Sequence, residues 1–144
     1  MHSSKSWEWR TPQHIYDALD REFRFDFDPC PLGGTVDGRA PLFSDWSGKR
    51  CFANPPYGPQ IPRFLARAHE ADVAVFLIPC RTDTAWFADI VLRHATEIRF
   101  IRGRLRFGDA TNSAPFASMI VIFESGRTGP PKVSEFQYKG ESAV

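Results

Sequence analysis

Apolar residues recur along this chain in two rhythms, one of helical period and one of strand period. In "TPQHIYDALDREF" the residues Ile15, Leu19 and Phe23 fall four apart and make one apolar stripe, with Thr11 placed as helix N-cap and Pro12 as first helical residue. That spacing predicts a helix of about three turns. "RFDFDPCP" then alternates Phe25 and Phe27 with charged residues and stops at Pro29, which predicts a short strand carrying Asp28 at its carboxyl end. Residues 30–49 are rich in Gly, Pro and Asp and predict irregular backbone, with at most a brief element around "APLFSDW". "RCFAN" reads as a strand, "IPRFLARAHEA" as a helix, and "DVAVFLIP" as an almost wholly apolar strand. "TDTAWFADIVLRHA" reads as a helix capped by Thr82 or Asp83, its Trp86, Phe87, Ile90 and Val91 packing inward. The last third changes character: "EIRFIRG", "RLRFG" and "ASMIVIFE" predict three strands, and residues 125–144 a polar tail.

Strands alternating with helices imply a mostly parallel sheet covered on both faces, and the closing run of strands suggests an antiparallel edge hairpin. The expected fold is therefore three-layer α/β, a single domain over 1–144, since no internal repeat or linker interrupts it. With 144 residues, 42% of them hydrophobic, such a chain can bury a core without disulfides or metal. Its 18 Lys+Arg against 17 Asp+Glu leave a formal charge of +1, so overall charge neither demands nor excludes nucleic acid. Cys30, Cys51 and Cys80 form no CxxC pair and read as reduced thiols. His2, His14, His69 and His94 have no ligand spacing, so no metal is expected. "MHSSKSWEWR" lacks the apolar core of a signal peptide, and no stretch approaches the ~18 apolar residues of a membrane span. The expected place is the cytoplasm, with no membrane partner.

In open α/β sheets ligands bind beyond the carboxyl ends of the strands. Three strand ends here carry polar chemistry: Asp28-Pro29, Asn54-Pro55-Pro56-Tyr57, and Pro79 through Asp83 with Arg81. "NPPY" alone can be a proline-rich turn. It also fits a reaction in which a planar exocyclic amine attacks an electrophilic methyl group. The Asn54 side-chain carbonyl can accept one amine hydrogen and the Pro55 backbone carbonyl the other, while the prolines fix the backbone and Tyr57 lies on the ring of the substrate.

"NPPY" after a strand resembles the loop of methyltransferases that use S-adenosylmethionine to methylate amino groups. The ordered set "WRTPQHIYDALDREFRFDFDPC", "NPPYG", "IPCRTDTAWF" and "IRGRLRF…APFASMIVIF" resembles the small phage-type DNA N-6-adenine methyltransferases of the Dam class, from about Trp9 to Phe123. The resemblance implies a Rossmann-like sheet, S-adenosylmethionine as cofactor and DNA as partner, in host cytoplasm if phage-encoded. It implies Asn54, Pro55, Pro56 and Tyr57 as the catalytic loop. It implies cofactor contacts at Trp9, Thr11, Pro12, Asp28, Pro29, Cys30 and Asp45, with Thr11-Pro12 over the methionine end, Asp28 facing the cofactor's amino group, and Asp45-Trp46 near its adenine or ribose. The chain departs from the family pattern after Pro29, where "PCPLGG" replaces a GxG-like loop. Only twenty-four residues (30 to 53) precede Asn54, too few for two further βα units of about 30 residues each. The cofactor half is expected to be trimmed, which leaves Gly33, Gly34, Asp37 and Asp45 without a settled role and suggests weak cofactor affinity before substrate binds.

Arg99, Arg102, Arg104 and Arg106 crowd into eight residues of "RFIRGRLRFG". Alternation suits the solvent face of an edge hairpin, but beside the catalytic rim it also suits a ribbon contacting phosphates, with Phe107, or Phe116 if it is not core, stacking on a flipped nucleotide. Arg81 and Asp83 belong to the same rim. No segment is left over for a base-reading module, so short or relaxed sequence specificity is expected. Two other readings stand beside the first: the same chemistry on cytosine N4, RNA adenine or protein glutamine, and an inactive nucleic-acid-binding domain of the same shape.

Overall fold

The computed structural model describes residues 10–30, 41–107 and 113–137. Helix α1 spans Gln13–Phe23 and buries Ile15, Leu19 and Phe23, the stripe that the four-residue spacing predicts. Pro12 takes the N-cap position with no side-chain cap. Thr11 therefore does not cap the helix, and its hydroxyl is engaged elsewhere. The helix ends where Arg24 turns left-handed (φ 54), its N–H bonded to the Asp20 carbonyl at 2.8 Å, and where Arg50 Nε donates to the Phe23 carbonyl at 2.6 Å.

The sheet is built from β1 (Arg50–Ala53), β2 (Val73–Pro79), β3 (Glu97–Phe100), β4 (Ser118–Glu124) and β5 (Lys132–Glu135), in the order β1-β2-β4-β3-β5. β1 runs parallel to β2, and β3 parallel to β5, while β4 is antiparallel to both its neighbours. A single parallel bridge, Phe27 to Cys51, sets residues 26–28 beside β1 and is all that forms of the strand expected at "RFDFD".

The antiparallel pair anticipated at the end of the chain exists, but inside the sheet and not as an edge hairpin. The outer side of β3 is taken by β5, with Ile98 opposite Val133. "RLRFG" consequently has no free ladder to join. Residues 101–107 leave the sheet and lie across one face, with Ile101, Leu105 and Phe107 buried, Arg102, Arg104 and Arg106 exposed, and Ala114 N–H bonded to the Leu105 carbonyl at 2.7 Å. β5 itself comes from the segment expected to be a polar tail.

All seven residues of β2 are buried and alternate between two cores, as a strand covered on both faces must. Val73, Val75 and Leu77 meet α1 and the 101–107 strap. Ala74, Phe76 and Ile78 meet the other layer, formed by Trp46, α2 (Ile61–Leu65), and a π-type turn, Phe87–Val91, running into α3 (Leu92–His94). The expected helix "IPRFLARAHEA" is broken into α2 and a 3-10 turn at Ala68–Glu70. The buried residues Leu65, Ala68 and Ala71 are three apart, which a 3-10 turn keeps in line and an α-helix does not. The following helical segment is capped by Thr84 and not by Thr82 or Asp83: its hydroxyl donates to the Arg81 carbonyl at 2.7 Å and accepts the Phe87 N–H at 3.2 Å.

Candidate active site

β1 carries Cys51 to Ala53 into the core and releases the chain at Asn54, at the carboxyl edge of the sheet. Two prolines then prevent the strand from continuing, and Gly58 (φ 116) turns the chain toward α2. Pro55 is buried, and Asn54, Pro56 and Tyr57 are half-buried. The Asn54 Nδ2 donates to Thr11 Oγ1 at 3.0 Å, across 43 residues of sequence, so the "TP" and "NPPY" segments meet on one rim.

Tyr57 sits in an aromatic cluster, with ring centroids 5.1 Å from Phe116 and 6.3 Å from Phe107, both edge-on. Burial pushes its phenol far up, so the hydroxyl stays protonated and Tyr57 serves as a ring and not as a base. The same ring lines a cleft of about 600 Å³ whose other walls include Pro59, Arg81, Thr84, Trp86 and Phe116. Of the two aromatic candidates, Phe107 is only 2% exposed and belongs to the core, whereas Phe116 is half-buried and faces the cleft. That reverses the sequence expectation. Trp86, expected as packing, does pack against the core and also forms a cleft wall. The signal for it was its place two residues after the Thr84 cap, at the mouth of β2.

The Phe27 bridge, with Phe52 N–H donating to the Phe27 carbonyl at 3.2 Å, runs Asp28, Pro29 and Cys30 alongside the carboxyl end of β1. Asp28 Oδ1 accepts the Cys30 N–H at 2.8 Å. Although Asp28 keeps solvent access, desolvation by the protein around it raises its carboxyl pKa, and the Cys30 hydrogen bond opposes that rise. Burial also lifts the Cys51 thiol to about 12 and the Cys80 thiol to about 11, so both stay protonated and neither is a nucleophile.

Other expected residues are not on this rim. Asp45 lies before the amino end of β1, the opposite end from Asn54, where its carboxylate accepts the Ser47 N–H at 3.0 Å. Trp46 is fully buried between Phe64 and Phe76, with Arg67 over its ring, and cannot face a ligand. Trp9, Gly33, Gly34 and Asp37 lie outside the described residues. Of the basic stretch, Arg99 is held by Glu22 and Glu97, and Arg102 by Glu135 at 2.8 Å. Arg104, Arg106 and Arg81 are exposed, and among the described residues none of the three has an ion-pair partner. Among the described residues no helix is long and apolar enough to cross a membrane, and no three His, Cys, Asp or Glu side chains gather as metal ligands.

The model of a family described as DNA N-6-adenine-methyltransferase (Dam) matches residues 2–137 of the chain. A DNA N-6-adenine-methyltransferase of Haemophilus phage HP1 (strain HP1c1) is 30% identical over 136 residues, covering 81% of this chain and 78% of the phage protein. No solved structure matches.

Proposed function

The chain belongs to the family of DNA N-6-adenine-methyltransferases, an enzyme that methylates the N6 amino group of adenine in DNA, and from that premise we propose how its residues do so. One observation carries the proposal: the Asn54-Pro55-Pro56-Tyr57 loop leaves the carboxyl end of β1, and its last residue, Tyr57, lines an open cleft of about 600 Å³. We assign that cleft to the target nucleotide, flipped out of the helix because a stacked adenine cannot reach a donor in a closed site. Tyr57 stacks on the base, with Phe116 and Trp86 as the other walls. Arg81 at the mouth pairs with a phosphate, and Arg104 and Arg106 extend the contact along the backbone.

The N6 lone pair is delocalised into the purine ring and is a poor nucleophile until drawn out of plane. The Asn54 Oδ1 accepts one N6 hydrogen and the Pro55 carbonyl the other, which localises the lone pair and aims it. S-adenosylmethionine, when bound, supplies an electrophilic methyl group on sulfur. The N6 nitrogen forms the new bond to the methyl carbon while the carbon–sulfur bond breaks, its electron pair staying on sulfur to give S-adenosylhomocysteine, and the nitrogen then loses one proton to water, so no covalent enzyme intermediate is needed. The donor set fits a cofactor on the other side of the loop. Asp28, Pro29 and Cys30 line up there against β1, and a carboxylate at the strand's end suits a positively charged ligand that also carries amino groups. Pro12, at the start of α1, completes that side.

The strand order supports the finer fold reading as well. Counting the Phe27 bridge as the remnant of a first strand, the order is compatible with the middle and one flank of a Rossmann-like methyltransferase sheet in which β4 alone is reversed and the other flank is trimmed. Cytoplasm is the proposed location.

The test is transfer of labelled methyl from S-adenosylmethionine to unmethylated DNA, with nucleoside mass spectrometry and sequencing of the modified sites. N6-methyladenine at sites sharing a short or no common sequence is the expected product. N4-methylcytosine, transfer to RNA alone, or one long recognition site would contradict the reading.

A further inference from the structure

We infer that Thr11 is a positioning residue, its hydroxyl holding the Asn54 amide in the orientation that serves methyl transfer. This rests on the reading of Asn54 as the group that accepts the substrate amine. An asparagine amide carries its oxygen and its NH2 on one planar carbon, and the torsion that turns this plane has only broad minima. With Nδ2 turned toward Thr11 Oγ1 at 3.0 Å, Oδ1 is turned away from it. The opposite flip would set an NH2 group against the substrate's own amine, donor facing donor, and would withdraw nothing from the nucleophile. A threonine hydroxyl can donate as well as accept, so what Thr11 contributes is to fix the plane of the amide, with Oδ1 the end turned away from it in the orientation seen.

Thr11 suits that task because both partners are held by their backbones. Each precedes a proline, Pro12 and Pro55, which disfavours helical geometry, and neither Thr11 nor Asn54 is helical. Pro12 is buried, and its carbonyl accepts the Ile15 and Tyr16 N–H groups at 3.1 Å, so Thr11 is fixed to the start of α1. The helix is fixed in turn by Ile15 and Leu19, both fully buried. Asn54 directly follows Ala53, which is paired with Phe76 of β2. Two rigid X-Pro units therefore meet through their polar side chains, and the hydrogen bond is made before substrate arrives. Such preorganisation lowers a barrier without costing reorganisation at the moment of reaction. The Thr11 oxygen accepts from Asn54, whereas the family resemblance would place the residue over the cofactor.

The experiment compares the full-length protein with Thr11→Val, Thr11→Ala, Thr11→Ser, Asn54→Ala and the double variant Thr11→Val/Asn54→Ala. Methyl transfer to unmethylated duplex DNA is followed while cofactor and DNA are each varied, with thermal unfolding as a check on folding. Thr11→Val should lower kcat by about 10- to 100-fold, the scale of a misplaced catalytic group. The KM for S-adenosylmethionine should stay within about twofold, as for a loss felt only in the transition state. Serine should restore most of kcat, and Thr11→Val should add nothing once Asn54 is alanine. Thr11→Ala gives the same comparison if the valine variant does not fold. A raised KM for S-adenosylmethionine with kcat intact would overturn the inference in favour of a cofactor contact, and so would failure of serine to rescue. Full activity in Asn54→Ala would instead bring down the catalytic reading of the loop, an outcome distinct from a silent Thr11 beside an inactive Asn54 variant.

Discussion

The proposed chemistry turns on Asn54 and Thr11, and both were legible in the sequence as members of short proline-bearing motifs. Their hydrogen bond was not legible, because Thr11 before a helical pattern satisfies the rule for an N-cap equally well. Only the placement of α1 against β1 decides between the two uses of the hydroxyl. Phe107 teaches the converse. In "RLRFG" the alternation of Arg and apolar residues is the same whether the segment is an edge strand or a strap laid across a face, so exposure could not be read from it. The strap buries Phe107 against Tyr57 and Phe116. Its deletion should therefore be felt in stability: Phe107→Ala should lower the free energy of unfolding by about 3–5 kcal/mol in urea titration, as for other buried phenylalanines. A variant of wild-type stability that had lost only DNA affinity would return Phe107 to the role of an exposed stacking residue.

At the scale of elements, α1 is tied to β3 by Arg99, whose guanidinium donates to Glu22 at 2.8 and 2.7 Å and to Glu97 at 2.8 and 3.1 Å. The Arg99 hydrogen bonds hold the Glu22 carboxyl below its ordinary value, against the opposing effect of partial burial. A carboxyl lowered in the folded state contributes stability that is complete above its unfolded pKa, about 4.3, and is lost as pH falls through the folded value. Glu22→Gln should therefore destabilise the protein at pH 7 by about 1 kcal/mol or less, the range for solvent-exposed pairs. The difference from wild type should shrink as the pH of thermal unfolding is taken below about 4. A difference that stayed constant with pH would show that the Glu22 charge is not what ties helix to sheet. The elements missed in the sequence share a cause. β5 is an edge strand exposed at Lys132, Val133 and Glu135, with no apolar alternation to announce it, and charged side chains are what a sheet edge normally carries.

For the whole molecule, strand period and helix period were enough to anticipate a mixed α/β sheet, and the ends of the strands to nominate one rim as the candidate site. The order of the strands was not, since parallel and antiparallel partners of an apolar strand such as β2 look alike in one dimension. What the fold adds is convergence: residue 11 at the start of α1, residues 28–30 beside β1, and the loop from Asn54 are drawn to one edge, next to the Tyr57 cleft. The account's central claim is that this edge performs the transfer through Asn54. Single-turnover formation of N6-methyladenine, with DNA and S-adenosylmethionine both saturating, tests it most directly. Asn54→Ala should slow the chemical step by about 10²- to 10³-fold, the cost of removing one preorganised group that acts on developing charge, while the protein stays folded and still binds DNA. A rate within a few fold of wild type would contradict the claim and move the chemistry to another part of the molecule.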